Sequence, residues 1–270
     1  MNHDATLAHA AALIEAADGL LICAGAGMGI DSGLPDFRGA QGFWHAYPAL
    51  GAADMRFEAI ANPSAFRDDP ELAWGFYGHR LALYRATQPH VGFAILRRWA
   101  QKMQHGSFVF TSNVDGQFQR AGFAEEQIAE CHGSLHWLQC IEPCNRAIWP
   151  AQDFIPQVDT ERCRLIGPMP ACPYCGGLAR PNVLMFDDWY WLAQRSGAQQ
   201  RRLALWREQV EHLVVLELGA GTRIPTVRHL AHAAGGDLMR INPDAAHAGN
   251  ARINLSLGAR EALQAIDALL

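Results

Sequence analysis

The sequence predicts an α/β fold, a parallel sheet with helices on both faces and a smaller unit inserted into it. Three observations predict it. Short apolar runs end abruptly in glycine-rich or polar turns, helix-length segments separate these runs, and two stretches, 41–87 and 135–179, break the alternation. Residues 5–17 fit a helix. Gly19 ends that pattern before Leu20-Leu21-Ile22-Cys23, an unbroken apolar run suited to a strand buried on both faces. Gly25-Ala26-Gly27 follows at once. The same grammar recurs at Phe108 to Phe110 before Thr111-Ser112-Asn113, at Leu213 to Leu218 before Gly219, and at Leu238 to Ile241 before Asn242. In such sheets ligands bind at the carboxyl ends of the strands, so these turns are the candidate site loops. The first insertion has aromatics and helical patterning without a strand run; the second is rich in Pro and Cys.

Composition narrows the function classes. The 270 residues, 50% hydrophobic and 18% charged with 25 Gly and 14 Pro, suffice for a large core and are far from disordered or collagenous usage. A net charge of −5 offers no global attraction to nucleic acid or to an anionic membrane, and neither partner is expected. No apolar run approaches the ~18 residues a membrane helix needs. Met1 to Ala17 lack a basic start followed by an apolar stretch and read as a helix rather than a secretory signal, so a cytoplasmic location is expected. Lys102 is the only lysine, which biased codon content explains.

Four blocks carry candidate chemistry. Gly25-Ala26-Gly27-Met28-Gly29 allows close backbone approach to a ligand ahead of a helix start, although a tight turn accounts for it as well. Its continuation, Gly33-Leu34-Pro35-Asp36-Phe37-Arg38-Gly39, sets a carboxylate, an aromatic face and a guanidinium in a loop suited to closing over a nucleotide. Asn113 and Asp115, two apart after a strand, can hold a carboxamide or simply form an Asx turn. His132, next to Gly133, has the pKa range of a general base, and a structural or solvated histidine is the alternative.

Cysteine spacing is the strongest purely physical signal. Cys140 and Cys144 form C-x3-C, and Cys172 and Cys175 form C-x2-C, in a segment too small to bury its own core. Four thiolates suit tetrahedral Zn2+ and leave no open position, so the metal is expected to be structural; catalytic zinc is the weaker alternative. Cys23 and Cys163 read as plain thiols, and Cys131 stays ambiguous.

These blocks, in this order and across most of the chain, resemble the sirtuin (Sir2) family of NAD-dependent protein-lysine deacylases, in its bacterial type. The resemblance implies a Rossmann-like parallel sheet domain (1–40, 88–134 and 180–270) with a helical insertion (41–87) and a zinc-ribbon insertion (135–179) forming a smaller inserted zinc-binding and helical domain. It implies that Gly25, Ala26, Gly27, Asp36, Phe37, Arg38, Gly219, Gly221 and Asn242 bind NAD, that Asn113 and Asp115 form the nicotinamide pocket, and that His132 is the catalytic base. Val183 to Phe186 is similar to the family's acyl-lysine-binding strand. Tyr77 and Arg80, three apart and so on one face of a helix, resemble the pair that binds the distal carboxylate of succinyl or malonyl groups, a surface arginine beside a core aromatic being the alternative.

The implied reaction consumes NAD and an acyl-lysine protein or peptide and gives nicotinamide, O-acyl-ADP-ribose and free lysine. Several positions depart from the family pattern: Gly29 stands for serine, Ser112 for glutamine, Ala220-Gly221 for threonine and serine, and Asp187-Asp188 for glycine and an acid. The Ser112 change touches the ribose side of the pocket. Transfer of ADP-ribose to a protein or NAD hydrolysis in the same pocket is one alternative function, and a non-enzymatic NAD-sensing module is another.

Overall fold

The computed structural model describes residues 3–35, 40–244 and 250–270. In chain order its strands are β1 (Gly19–Ala24), β2 (Ser107–Thr111), β3 (Ile128–Glu130), β4 (Gly133–Cys140), β5 (Ile148–Pro150), β6 (Val158–Asp159), β7 (Arg164–Leu165), β8 (Ala179–Val183), β9 (Leu213–Leu218), β10 (Asp237–Ile241) and β11 (Ile253–Leu255). Six of them form one sheet in the order β11-β10-β9-β1-β2-β3, every pair parallel, which is the expected architecture. Every residue of β1, β2 and β9 is buried, the burial that unbroken apolar runs require. The edge strands β3 and β11 have three residues each and escape a reading based on apolar runs.

Chain order reverses at β1, with β2 and β3 added on one side and β9 to β11 on the other. Such a switch point opens a crevice at the strands' carboxyl ends. Separate apolar cores cover the two faces of this sheet. One is built on Leu20, Ile22 and Val109 with the N-terminal helix His3–Ala16, which buries Leu7, Ala10, Ala11 and Ile14 at helical spacing. The other is built on Leu21, Cys23 and Phe110 with Trp206. Across β9 and β10, Arg240 sits opposite Glu217 in register and grips both its carboxylate oxygens, at 2.7 and 2.9 Å.

A third core joins the helices between residues 40 and 86 to the remaining strands. Phe43, Phe66, Trp74 and Phe76 pack there with Leu135, Cys163 and Val183. The longest of these helices, Pro70–Ala86, starts on Asp69, whose carboxylate accepts from the Leu72 N–H at 3.1 Å. β4 pairs antiparallel with β5 and β8, and β6 with β7. β8 straddles the expected boundary at 179/180 and hydrogen-bonds to β4 in the three-stranded sheet. No described helix is long and apolar enough to cross a membrane.

Candidate active site

Two turns meet at the switch point. A Cβ on Gly27 would lie 2.6 Å from the Gly219 Cα, and one on Gly25 would lie 2.7 Å from the Ala220 Cα. Only glycine fits this contact, and Gly219 also holds φ +57°. Backbone bonds from Gly25 N to Leu218 O (2.9 Å) and from Gly27 N to Gly219 O (3.0 Å) seal the turns together. The side chain of Asn242, just past β10, donates to the Ala220 carbonyl at 3.2 Å and braces the Gly219–Gly221 turn from behind. Asp36, Phe37 and Arg38 lie outside the described residues.

The turn after β2 is fixed from two directions. On one side Thr111 Oγ1 donates to Ala24 O and accepts from Asn113 N, while Asn113 Nδ2 donates to Gly25 O at 2.9 Å. On the other, β4 bulges between Ser134 and Leu138 out of register with β8. The bulge reaches over this turn: Leu135 N donates to Val114 O at 3.0 Å, and His136 Nε2 donates to Asp115 O at 2.9 Å. Burial holds the His136 imidazole below its ordinary pKa and thus neutral, so one nitrogen stays free of its proton. The Asx turn at Asp115 is present, Gln117 N donating to Oδ1 at 2.9 Å. Burial outweighs that bond and raises the Asp115 carboxyl to about 6.

His132 follows β3, an edge strand whose last residue is held by the helix Gln194–Arg207. Gln199 accepts from the Glu130 N–H, Ser196 donates to the Glu130 carbonyl, and Arg195 pairs with its carboxylate at 2.6 Å. Next to the histidine, Gly133 has φ +76°, and a Cβ there would stand 2.0 Å from the Asn182 carbonyl oxygen. The glycine lets β8 close on β4, and the chain beyond β8 then bonds Leu184 N to His132 O at 3.0 Å and Phe186 N to Ala61 O at 2.9 Å.

One cavity of about 280 Å³ receives these pieces. Ala26, Asn113, Asp115 and His132 line one part, with Ser112 among them; Tyr77, Arg80, Val183 and Phe186 line another. Gly25, Gly27, Gly219 and Gly221 build the adjoining turns, and Asn242 lies behind them. Arg80 is not a surface arginine: only 8% of it is exposed. Tyr84 escaped the sequence reading. Its signal was the i, i+4 spacing from Arg80, and the Arg80 Nε and Nη2 both donate to its hydroxyl.

Away from the cavity, the Cys140, Cys144, Cys172 and Cys175 sulfurs all lie within 4.8 Å of one another. Cys140 and Cys175, and Cys144 and Cys172, are each 3.7 Å apart. A tetrahedron with Zn–S bonds of about 2.3 Å has edges of about 3.8 Å, so the donor set fits zinc. Burial pushes the Cys172 thiol up, but the N–H groups of Tyr174 and Cys175, together with the neighbouring Cys144 and Cys175 thiols, bring it down to about 7, whereas burial and the neighbouring cysteines push Cys140 and Cys144 up. Cys163 stands outside the cluster, as its spacing predicts.

Residues 25–204 match the Sir2 family model. The chain belongs to the Sir2 family. It is 29% identical over 220 residues to an NAD-dependent protein deacylase of Aquifex aeolicus, covering 82% of this chain and 81% of that one. To a protein of the same description from Thermus thermophilus it is 30% identical, over 86% and 82% of the two chains. Among solved structures it superposes on an ADP-ribose complex of a mutated Sir2 homologue with a TM-score of 0.70 at 26% identity, covering 97% and 95% of the two chains. As a sirtuin it is an NAD-dependent protein deacylase with NAD as co-substrate, and its cysteine cluster fits the structural zinc.

Two measurements follow from this geometry. Cys172→Ser lowers zinc content below one ion per chain and lowers Tm by about 5–10 °C, read by metal analysis and calorimetry. For Asp115 the folded-state pKa of about 6 exceeds the ordinary aspartate value of 3.8. Between those values the folded chain binds a proton that the unfolded chain does not, so its contribution to stability falls as pH rises through this window. Asp115→Asn removes that slope in urea titrations run from pH 4 to 7.

Proposed function

We propose that this sirtuin removes acyl groups carrying a distal carboxylate, succinyl or malonyl, from lysine side chains of proteins. One observation carries the reading: Asn113, Asp115 and His132 share a cavity with Tyr77 and a buried Arg80. The glycine contact between the β1 and β9 turns brings the Gly25–Gly27 and Gly219–Gly221 turns together beside the cavity, where the dinucleotide would lie. Asn113 and Asp115 hold the nicotinamide carboxamide, and ionised Asp115 accepts from its amide N–H. NAD as co-substrate would supply the ADP-ribosyl group, which takes up the acyl chain as nicotinamide leaves the ribose and water completes the release of free lysine. His132 takes a proton from a ribose hydroxyl as general base, which frees that oxygen for attack on the acyl carbon. Val183 and Phe186 enclose the lysine stem, and their strand is anchored to the His132 carbonyl, so base and substrate share one backbone. Arg80 meets the distal carboxylate with its planar fork, and Tyr77 lies beside it. The zinc lies apart from this chemistry and braces the small sheet.

His132→Ala lowers turnover of acyl-lysine peptide by about 100- to 10,000-fold. Mass spectrometry of the wild-type reaction yields O-acyl-ADP-ribose; an ADP-ribosylated protein, or free ADP-ribose without acyl substrate, would instead establish transfer or hydrolysis. Acyl preference is tested by Arg80→Met, which lowers the ratio of succinyl to acetyl kcat/KM by at least about tenfold. An unchanged ratio refutes the carboxylate reading and leaves the deacylase reading intact.

A further inference from the structure

Tyr84 lies one helical turn beyond Arg80 on the helix Pro70–Ala86 and is 4% exposed. Its hydroxyl accepts two bonds from one edge of the guanidinium, from Nε at 3.0 Å and from Nη2 at 2.7 Å. Three rings surround the same group, with the Arg80 Cζ 5.2 Å from the centroid of Phe76, 5.4 Å from Tyr84 and 5.8 Å from Tyr77. An arginine side chain has many rotamers, and here a phenol and an aromatic enclosure select one of them in advance of any ligand. A carboxylate at position 84 would orient the fork equally well, but its charge would compete with an incoming anion. A phenol orients without a charge.

We propose that Tyr84 is the positioning residue for acyl specificity: its hydroxyl takes the Nε/Nη2 edge of Arg80 and turns the Nη1/Nη2 end of the fork towards an acidic acyl group. This rests on the reading that Arg80 receives the acyl carboxylate. The Tyr84 ring has a second duty that shapes the test. It lines the 280 Å³ cavity and also a neighbouring cavity of about 560 Å³ that contains His136 and Arg120, so a truncated side chain would merge the two. Tyr84→Phe keeps the wall and deletes only the hydroxyl.

The experiment measures kcat and KM separately for succinyl- and acetyl-lysine peptides at saturating NAD, on wild type, Tyr84→Phe, Arg80→Met and the double variant. In Tyr84→Phe the ratio of succinyl KM to acetyl KM rises about tenfold, the scale for a lost bond to a charged group. In the Arg80→Met background the same substitution leaves that ratio unchanged, because there is no fork left to orient. Equal changes for both peptides, or none, in Tyr84→Phe overturn the proposal while a collapsed preference in Arg80→Met keeps the parent reading. A preference untouched by Arg80→Met overturns both. Calorimetry on each variant separates these outcomes from loss of fold.

Discussion

The backbone contact between Gly27 and Gly219 is the constraint on which the rest of the site depends. Parallel strands diverge at their carboxyl ends where chain order reverses, and the gap between the β1 and β9 turns would ordinarily be filled by side chains. Here each turn presents bare backbone to the other, at separations where a Cβ would fall 2.4–2.7 Å from main-chain atoms. The closure does two things at once. It ties the halves of the sheet by N–H to carbonyl bonds, and it sets the two turns back to back beside the cavity. The departure from the family pattern at Ala220-Gly221 keeps this logic, since both residues are small and Ala220 is buried against Gly25.

A second constraint joins the chemistry to the small sheet. His132 stands between β3, which belongs to the six-stranded sheet, and β4, which does not. The two sheets therefore share a covalent link at the imidazole. The β4 bulge adds a non-covalent link through the Val114 and Asp115 carbonyls, so the part of the cavity that Asn113 and Asp115 line is positioned by a strand whose far end carries Cys140. The cysteine cluster that fits zinc is thus joined to the cavity through β4 and its bulge.

Strands written as apolar runs were legible in the sequence, and those defined by pairing were not. β1, β2, β9 and β10 announce themselves as apolar runs, whereas Ile128-Ala129-Glu130 and Ile253-Asn254-Leu255 are too short to show a period. β8 reads Ala-Arg-Pro-Asn-Val, a composition that argues against a buried strand, yet all five residues are buried. Most of its polar hydrogens find partners: Asn182 Nδ2 donates to Gln139 Oε1 and to Leu192 O, and Arg180 donates to Val183 O and Asp188 Oδ1, while Asn182 Oδ1 and Arg180 Nε are buried without a partner among the described residues. Such partners lie far apart in the chain. The cysteine tetrad was legible because ligand spacing is a local rule, and the role of the bulge was not, because register belongs to two strands at once.

The buried ion pair between Arg180 and Asp188 is best understood in the same terms. Both side chains are fully buried and 2.7 Å apart, a placement whose desolvation cost leaves little net stabilisation. Its product is orientation. Asp188 accepts from Met185 N with its second oxygen, and Arg180 donates to Val183 O, so the pair holds the segment 183–186 that lines the cavity. Asp187 completes the turn at φ +54° with its carboxylate on Asn62, at a position where the family has glycine. An aspartate tolerates that conformation better than most residues, and the Asn62 bond helps to hold it there. The Asp187-Asp188 departure is thus a change of means: side-chain bonds to Asn62, Met185 N and Arg180 fix a turn that glycine would leave without them.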